Sequence, residues 1–185
     1  MKYIAFALLV GFSLSLQAQV LTGNWQSDLQ NEIKNFRSCK NDENQNNKCY
    51  QHIGETLHSL YKLSDFYSNS SARYMMVSEI HDFLESSSKW KLLGKGYNQS
   101  VLDQAQQLAN KKMAVVAVYL NEDRVGQIAY ILPGEMVNSG SWKLRVPNSS
   151  AFISNEPEKS YMGKGLSYSF PRRLIANVQI YSREI

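Results

Sequence analysis

The stretch Met113-Ala-Val-Val-Ala-Val-Tyr119, followed by Gly126-Gln-Ile-Ala-Tyr-Ile-Leu-Pro133, decides the fold. Both runs are rich in β-branched and other apolar residues, and a short polar segment, Asn121–Arg124, separates them. This pattern is typical of two antiparallel strands joined by a turn. The first run is apolar on both faces, as a central strand is, whereas the second carries one polar side chain near its start, Gln127.

Four amphipathic helices are predicted before this hairpin, because apolar residues recur there at helical spacing. The four sets are Trp25, Leu29, Ile33 and Phe36; Cys49, Ile53, Leu57 and Leu60; Met76, Ile80, Phe83 and Leu84; and Val101, Leu102, Ala105, Leu108 and Ala109. The polar segment Ser38–Lys48 is predicted to be a solvated loop, and Trp90–Gly96 a connector. Two alternating segments after the hairpin, Trp142–Val146 and Val178–Tyr181, are predicted strands. We therefore expect one α+β domain over residues 19–185, with N-terminal helices packed on a C-terminal antiparallel sheet.

The first residues have the pattern of a signal peptide. Lys2 is positively charged, Tyr3–Leu16 is apolar, and Leu16-Gln17-Ala18 resembles a cleavage site. The apolar run is too short to span a bilayer as a helix, and no later run is apolar enough. We expect residues 1–18 to be a signal peptide and the protein to be exported, to the periplasm or the extracellular space.

The charge pattern argues against a nucleic-acid partner. The formal net charge is +4, and the basic residues are scattered singly rather than gathered in a stripe with aromatic residues. The chain also has no glycine-rich phosphate-binding loop. Neither a cofactor nor a metal is expected, and the oligomeric state stays open.

The two cysteines, Cys39 and Cys49, allow two interpretations. In an oxidising compartment they are expected to form a disulfide that closes the loop between them. Alternatively, Cys49 is a free nucleophile at the start of the second helix, where the helix dipole favours thiolate. A metal site made of both cysteines with His52 and His58 is disfavoured, because the cysteine spacing is not that of a usual zinc module.

Several segments, in this order, resemble papain-like cell-wall cysteine peptidases and amidases of the NlpC and CHAP types. The resemblance extends from about Phe36 to the end of the chain. Its segments are Lys48-Cys49, Trp90–Gly94, Gln104–Asn110, Val115–Val118, Gly126–Gly134, Ser141-Trp142, Val146-Pro-Asn148 and Ser160-Tyr161. The resemblance implies a papain-like fold, a peptidoglycan peptide as substrate, and Cys49 as the nucleophile.

The resemblance also places the general base after the glycine that opens the second hairpin strand, and that position is Gln127 instead of histidine. A glutamine amide does not titrate near neutral pH and cannot accept the thiol proton. General-base assistance contributes roughly 10²–10⁴-fold to the rate. The three histidines, His52, His58 and His81, all precede the hairpin, and a Cys49–His52 dyad along one helix is the less favoured substitute.

Asn148 is the first choice for the third catalytic position because it sits on the strand that follows Gln127, although a turn residue after proline is an equally good interpretation; Asn138, Ser139 and Ser141 are the alternatives. Trp90, Trp142 and Ser141 are predicted to contact substrate, although tryptophans in such patterns are more often core residues.

Two functions follow from these residues. The first is an exported peptidoglycan amidase or endopeptidase whose hydrolysis is impaired or lost because Gln127 occupies the base position. The second is a non-catalytic module that binds peptidoglycan stem peptides or a protein partner in the former cleft.

Overall fold

A computed structural model of the protein describes residues 21–42 and 48–184. The expected signal peptide, residues 1–18, lies outside the described residues. The helices are α1 (Trp25–Asn41), α2 (Gln51–Tyr61), α3 (Val77–Ser86) and α4 (Gln99–Asn110). The strands are β1 (Tyr67–Ser68), β2 (Arg73–Tyr74), β3 (Trp90–Lys95), β4 (Val115–Leu120), β5 (Gly126–Ile131), β6 (Val137–Ser139), β7 (Leu144–Val146), β8 (Asn148–Ala151), β9 (Tyr161–Gly165) and β10 (Gln179–Arg183). The predicted α+β class is confirmed.

The β4–β5 hairpin lies in the middle of a six-stranded antiparallel sheet, as the opening stretch of sequence predicts. The strand order is β3-β10-β4-β5-β8-β9. Strands β4 and β5 pair with Val118 opposite Ile128 and with Tyr119 opposite Gln127. Because neighbouring residues of a strand point to opposite faces, this register fixes which side of the sheet each side chain occupies.

Both faces of the sheet are covered by helices, which explains why β4 is apolar throughout. On one side, Val116, Val118, Ile128 and Tyr130 pack in one buried cluster with residues of α1, α2 and α3. On the other, Val115, Ala117, Ala129 and Ile131 pack in a second cluster with residues of α4. We call these sides the α1–α3 face and the α4 face. Helix α4 therefore packs on the opposite face of the sheet from α1, α2 and α3.

Two segments predicted as loops belong to regular elements. Helix α1 continues to Asn41, so Cys39 is helical rather than part of a loop. The predicted connector at Trp90–Gly96 contains edge strand β3, which pairs with β10. Strand β3 receives its hydrogen bonds only from β10, which lies far away in sequence. The residues around β3 therefore do not predict a strand by themselves.

The predicted strand at Trp142–Val146 is shorter in the structure and lies outside the main sheet. Its residues Leu144–Val146 form β7, which pairs with β6 in a separate two-stranded sheet. The predicted strand at the C-terminal end is confirmed as β10 and lies between β3 and β4. Within residues 21–42 and 48–184, every helix is too short or too polar to cross a membrane.

Candidate functional site

Cys49 lies in the turn before α2, not in the first turn of that helix as expected, and its sulfur is bonded to Cys39. The Cys49 side chain is fully buried, and its backbone carbonyl accepts a hydrogen bond from the amide of His52 at 3.3 Å. The Cα atoms of the two cysteines are 5.7 Å apart, an ordinary separation for a disulfide. Of the two interpretations of the cysteines, the disulfide is confirmed. A sulfur in this state is neither a thiol nor a thiolate, so it cannot attack a peptide carbonyl.

Gln127 lies on the opposite side of the sheet from Cys49. Ile128 and Tyr130 belong to the same buried cluster as Cys49, and the Tyr130 hydroxyl donates a hydrogen bond to the carbonyl of Ile53 on α2. Alternation along β5 therefore directs Gln127 to the α4 face, together with Ala129. The structure does not bring together the two residues that the resemblance pairs as nucleophile and base.

The side-chain amide of Gln127 has defined partners at the edge of β5. Its Nε2 donates hydrogen bonds to the carbonyls of Ile128 and Phe152, both at 3.0 Å. Both amide protons are therefore used, and none of the described residues donates a hydrogen bond to its Oε1. This arrangement holds the side chain in place and leaves an acceptor oxygen available to a ligand.

Asn148 begins β8, at the opposite end of the strand pair from Gln127. Its amide Nδ2 donates to the carbonyl of Pro133 at 2.8 Å, and its backbone N–H donates to Oε1 of Gln106 at 2.7 Å. Its carbonyl accepts from the amide of Leu132, five residues along the strand from Gln127, or roughly 16 Å at strand spacing. The structure therefore does not bring Asn148 next to residue 127, and the Asn148 side chain instead bonds to the loop at Pro133.

The alternatives for the third position have no hydrogen bond to Gln127. Asn138 and Ser139 belong to β6, outside the main sheet. The Ser139 hydroxyl is 3.1 Å from that of Ser141 and accepts the backbone N–H of Trp142. Ser139 and Ser141 therefore stabilise a local turn, and none of the three side chains contacts Gln127 or Cys49.

The two tryptophans predicted to contact substrate are core residues. Trp90 is 4% exposed on the α1–α3 face, stacks on Phe66 and donates from Nε1 to Asp65 at 3.0 Å. Trp142 is 3% exposed on the α4 face and donates from Nε1 to the carbonyl of Phe170 at 2.9 Å. Because each indole N–H is satisfied inside the fold and the two rings lie on different faces, they do not line a common groove.

A cleft does open beside Gln127, and we call it the Gln127 cleft. Its volume is about 680 Å³. It is lined by Gln127, Ile153, Asn155, Glu156, Glu158, Lys159, Tyr161, Lys164, Tyr168, Ser169 and Pro171. The lining combines two amides, two tyrosines and charges of both signs, and it contains neither of the cysteines nor any histidine.

Two tyrosines and a lysine form the most distinctive wall of this cleft. Tyr168 is 68% exposed, and the Lys164 ammonium lies 5.0 Å from its ring centroid. The same ammonium lies 5.7 Å from the ring of Tyr161, a distance at which cation–π attraction operates. The wall thus presents an aromatic surface with a fixed positive charge beside it.

Two serine hydroxyl groups hold Tyr161 in this wall. Its Oη lies 2.9 Å from Oγ of Ser149 and 2.7 Å from Oγ of Ser169. Burial raises the pKa of Tyr161, although these serine contacts act in the opposite direction. A phenol that holds its proton above the usual range is a hydrogen-bonding and packing group near neutral pH, not a base.

Sequence reasoning selected Gln127 as a site residue and included Tyr161 only within the resemblance, and it missed the other residues of the cleft. Lys164 lies on β9, and Tyr168 belongs to the 3₁₀ turn Leu166–Tyr168 that follows it. They meet the start of β5 because β8 and β9 continue the sheet beyond it. The Ser160-Tyr161 pair was part of the resemblance and is the one sequence signal for this region.

A different cluster on the helices contains the residues that could hold a metal ion. Among the described residues, Glu32, His52 and Glu55 offer one ligand atom each within 4.8 Å of one another. The earlier set of two cysteines with His52 and His58 is not a metal site, because the cysteines are bonded to each other.

Comparison with family models gives no match for this chain. Comparison with curated proteins gives no match either.

Proposed function

We propose that this protein is an exported, non-hydrolytic module that binds a short peptide of the cell-wall type in the Gln127 cleft. The disulfide between Cys39 and Cys49 is the observation that carries the non-hydrolytic part. It removes the one thiol expected to act as nucleophile, and a sulfur on the α1–α3 face cannot reach a ligand bound beside Gln127. A disulfide is also the state favoured in an exporting, oxidising compartment, in agreement with the proposed signal peptide.

The chemistry of the cleft supports a peptide ligand. Oε1 of Gln127 accepts a peptide N–H, the Lys164 ammonium pairs with a carboxylate, and the exposed ring of Tyr168 packs against an aliphatic side chain. Stem peptides of peptidoglycan carry amides, carboxylates and short aliphatic side chains, and the resemblance to cell-wall peptidases points to the same ligand class. The size of the cleft suits a few residues of such a peptide.

The alternative, a hydrolase with residual activity, needs more rearrangement. It requires reduction of the disulfide, exposure of a fully buried sulfur, and a base on the same face of the sheet. The binding function requires none of these changes.

Co-sedimentation with insoluble peptidoglycan tests the proposal. The exported protein is expected to sediment with the wall material and to release no soluble muropeptides. Tyr168→Ala is expected to weaken binding by roughly tenfold, since truncation of an aromatic anchor typically costs more than 1 kcal/mol. Tyr97→Ala is the matched control, because Tyr97 is 58% exposed and lies outside the cleft.

Two results would contradict the proposal. Release of soluble fragments by the unreduced protein would show that it is a hydrolase. Equal binding by the wild type, Tyr168→Ala and Tyr97→Ala would show that the Gln127 cleft is not the binding site.

A further inference from the structure

We propose that the pair of helices α1 and α2 holds one divalent first-row metal ion, of which Zn²⁺ is the best fit, through Glu32, His52 and Glu55. Glu32 lies on α1, and His52 and Glu55 lie one turn apart on α2. The site is independent of the Gln127 cleft, because α1 and α2 pack on the other face of the sheet.

Two of the three distances between the ligand atoms already match those around a tetrahedral ion, and the two carboxylate oxygens lie within 4.8 Å of each other. Nδ1 of His52 is 3.2 Å from Oε2 of Glu32 and 3.4 Å from Oε2 of Glu55. Zinc bonds to nitrogen and oxygen of about 2.0–2.2 Å place tetrahedral ligands about 3.3–3.6 Å apart. The three atoms can therefore surround an ion with small side-chain adjustments, and the fourth position would be left to water.

His52 cannot make a good hydrogen bond to both Glu32 and Glu55 at once. Nδ1 of His52 carries at most one proton, yet two carboxylates lie at nearly the same distance from it. One proton between two acceptors at these distances gives two long, shared contacts rather than one good bond. A divalent ion bonds all three groups at once and compensates both negative charges.

The electrostatics of the surroundings favour a cation. Glu32 is largely buried, with 12% of its side chain exposed, so its charge is costly unless it is compensated. The Glu55 carboxylate lies beside it, within 4.8 Å, so that two negative charges are close together. The carboxylates thus impose a negative potential that a cation would neutralise.

Glu32 has an outer hydrogen bond of the kind that orients a ligating carboxylate. Its second oxygen, Oε1, accepts a hydrogen bond from the Ser59 hydroxyl at 2.9 Å, which leaves Oε2 directed to the cluster. Ligating carboxylates are commonly oriented by such an outer hydrogen bond. The Glu55 side chain is 43% exposed and provides the path by which an ion enters.

The bound ion would be a second cross-link between α1 and α2. The disulfide already joins the end of α1 to the turn before α2, and the metal would join the helices one to two turns further along. The expected role is structural: the ion stabilises the helix pair that covers the α1–α3 face.

Zinc titration of the chelator-treated, unreduced protein tests this site. We expect one equivalent to bind, and the melting temperature to rise by about 5–10 °C at zinc 100-fold above the dissociation constant. Co²⁺ in the same site is expected to give the visible d–d absorption of a four-coordinate ion. His52→Ala and Glu55→Gln should each weaken zinc binding at least tenfold, and Ser59→Ala by about tenfold.

His58→Ala is the matched control, because His58 lies on the same helix with an exposed side chain and outside the cluster. Glu55→Gln keeps the test valid if His52→Ala fails to fold, since Glu55 is partly exposed. The proposal is overturned if the wild type binds no zinc, or if Glu55→Gln binds zinc as tightly as the wild type and His58→Ala do.

Discussion

Gln127 and Cys49 lie on opposite faces of one six-stranded sheet. The resemblance to cell-wall peptidases pairs these two positions as base and nucleophile, whereas the register of β5 separates them by the thickness of a strand layer. Restoring the imidazole alone therefore does not restore a catalytic pair.

The first prediction concerns Gln127→His. We expect this variant to fold and to release no muropeptides, because the new imidazole would face the Gln127 cleft while the sulfur stays buried and bonded on the other side. The measurement is chromatography of fragments released from peptidoglycan by unreduced wild type and variant. Release by the variant would mean that the cysteine reaches residue 127 and that the face assignment is wrong.

The second prediction concerns the disulfide. Replacing both Cys39 and Cys49 by alanine should lower the free energy of unfolding by about 2–3 kcal/mol, because the bond closes a loop whose ends are 10 residues apart. Urea unfolding of the oxidised wild type and the double variant measures this loss.

A reductant provides the internal control for that comparison. It should destabilise the wild type and leave the double-alanine variant unchanged. Labelling of Cys49 by iodoacetamide in the unreduced native protein would contradict the bonded state.

The third prediction concerns Asp65, which anchors the edge of the sheet. Its Oδ2 accepts from Nε of Arg183 at 2.6 Å and from the indole of Trp90 at 3.0 Å, and both charged side chains are at most 12% exposed. Asp65→Ala should cost about 3–5 kcal/mol of stability, because a buried guanidinium and a buried indole N–H lose their partner.

The exposed pair Lys91–Glu184 is the control for Asp65. Its atoms are 3.8 Å apart and its side chains are more than half exposed. Lys91→Ala should change the free energy of unfolding by less than about 1 kcal/mol. Equal losses for the two alanine variants would show that burial does not set the strength of these pairs.

The fourth prediction concerns acid sensitivity at Glu79. Two hydrogen bonds of 2.7 Å from the Arg73 guanidinium, with a further one from the amide of Met76, hold the pKa of Glu79 below its ordinary value of 4.5. A lowered folded-state pKa adds stability that is present above the unfolded-state value and is lost as the pH falls through the folded-state value. The stability difference between wild type and Glu79→Gln should therefore be largest near neutral pH and shrink below about pH 4.5.

Urea unfolding at a series of pH values measures this difference. Glu122→Gln, in the exposed β4–β5 turn, is the charge-matched control and should show no such trend. A gap between wild type and Glu79→Gln that stays constant down to strongly acidic pH would contradict the prediction.

Local periodicity in the sequence was sufficient for the four helices and the β4–β5 hairpin. It was insufficient for β8, because Asn148-Ser-Ser-Ala151 has low strand propensity. Its serines are buried and stabilised by hydrogen bonds to distant groups, such as that from the Ser150 hydroxyl to the carbonyl of Tyr161. Contacts of this kind depend on the assembled fold and leave no local pattern.

The candidate site could be predicted only in part for a similar reason. Gln127 was recognisable as a polar side chain in an apolar strand. The face of the sheet to which Gln127 points could not be predicted. Strands β4 and β5 are apolar on both sides, so hydrophobicity does not distinguish the α1–α3 face from the α4 face. Lys164 and Tyr168 lie near Gln127 because β8 and β9 follow β5 in the sheet. Short-range sequence patterns do not predict this strand order.

The position of β10 has a consequence for the order of assembly. This last strand of the described chain lies between β3 and β4, which make no strand pairing with each other. A ribosome therefore releases β3 and β4 long before the strand that joins them exists. The central hairpin can form early, because its two strands are close in sequence. Strand β3 pairs only after a loop of more than eighty residues has closed, which is a slow step in folding. Until β10 has been synthesised, β3 has no hydrogen-bonded neighbour and the six-stranded sheet cannot be completed.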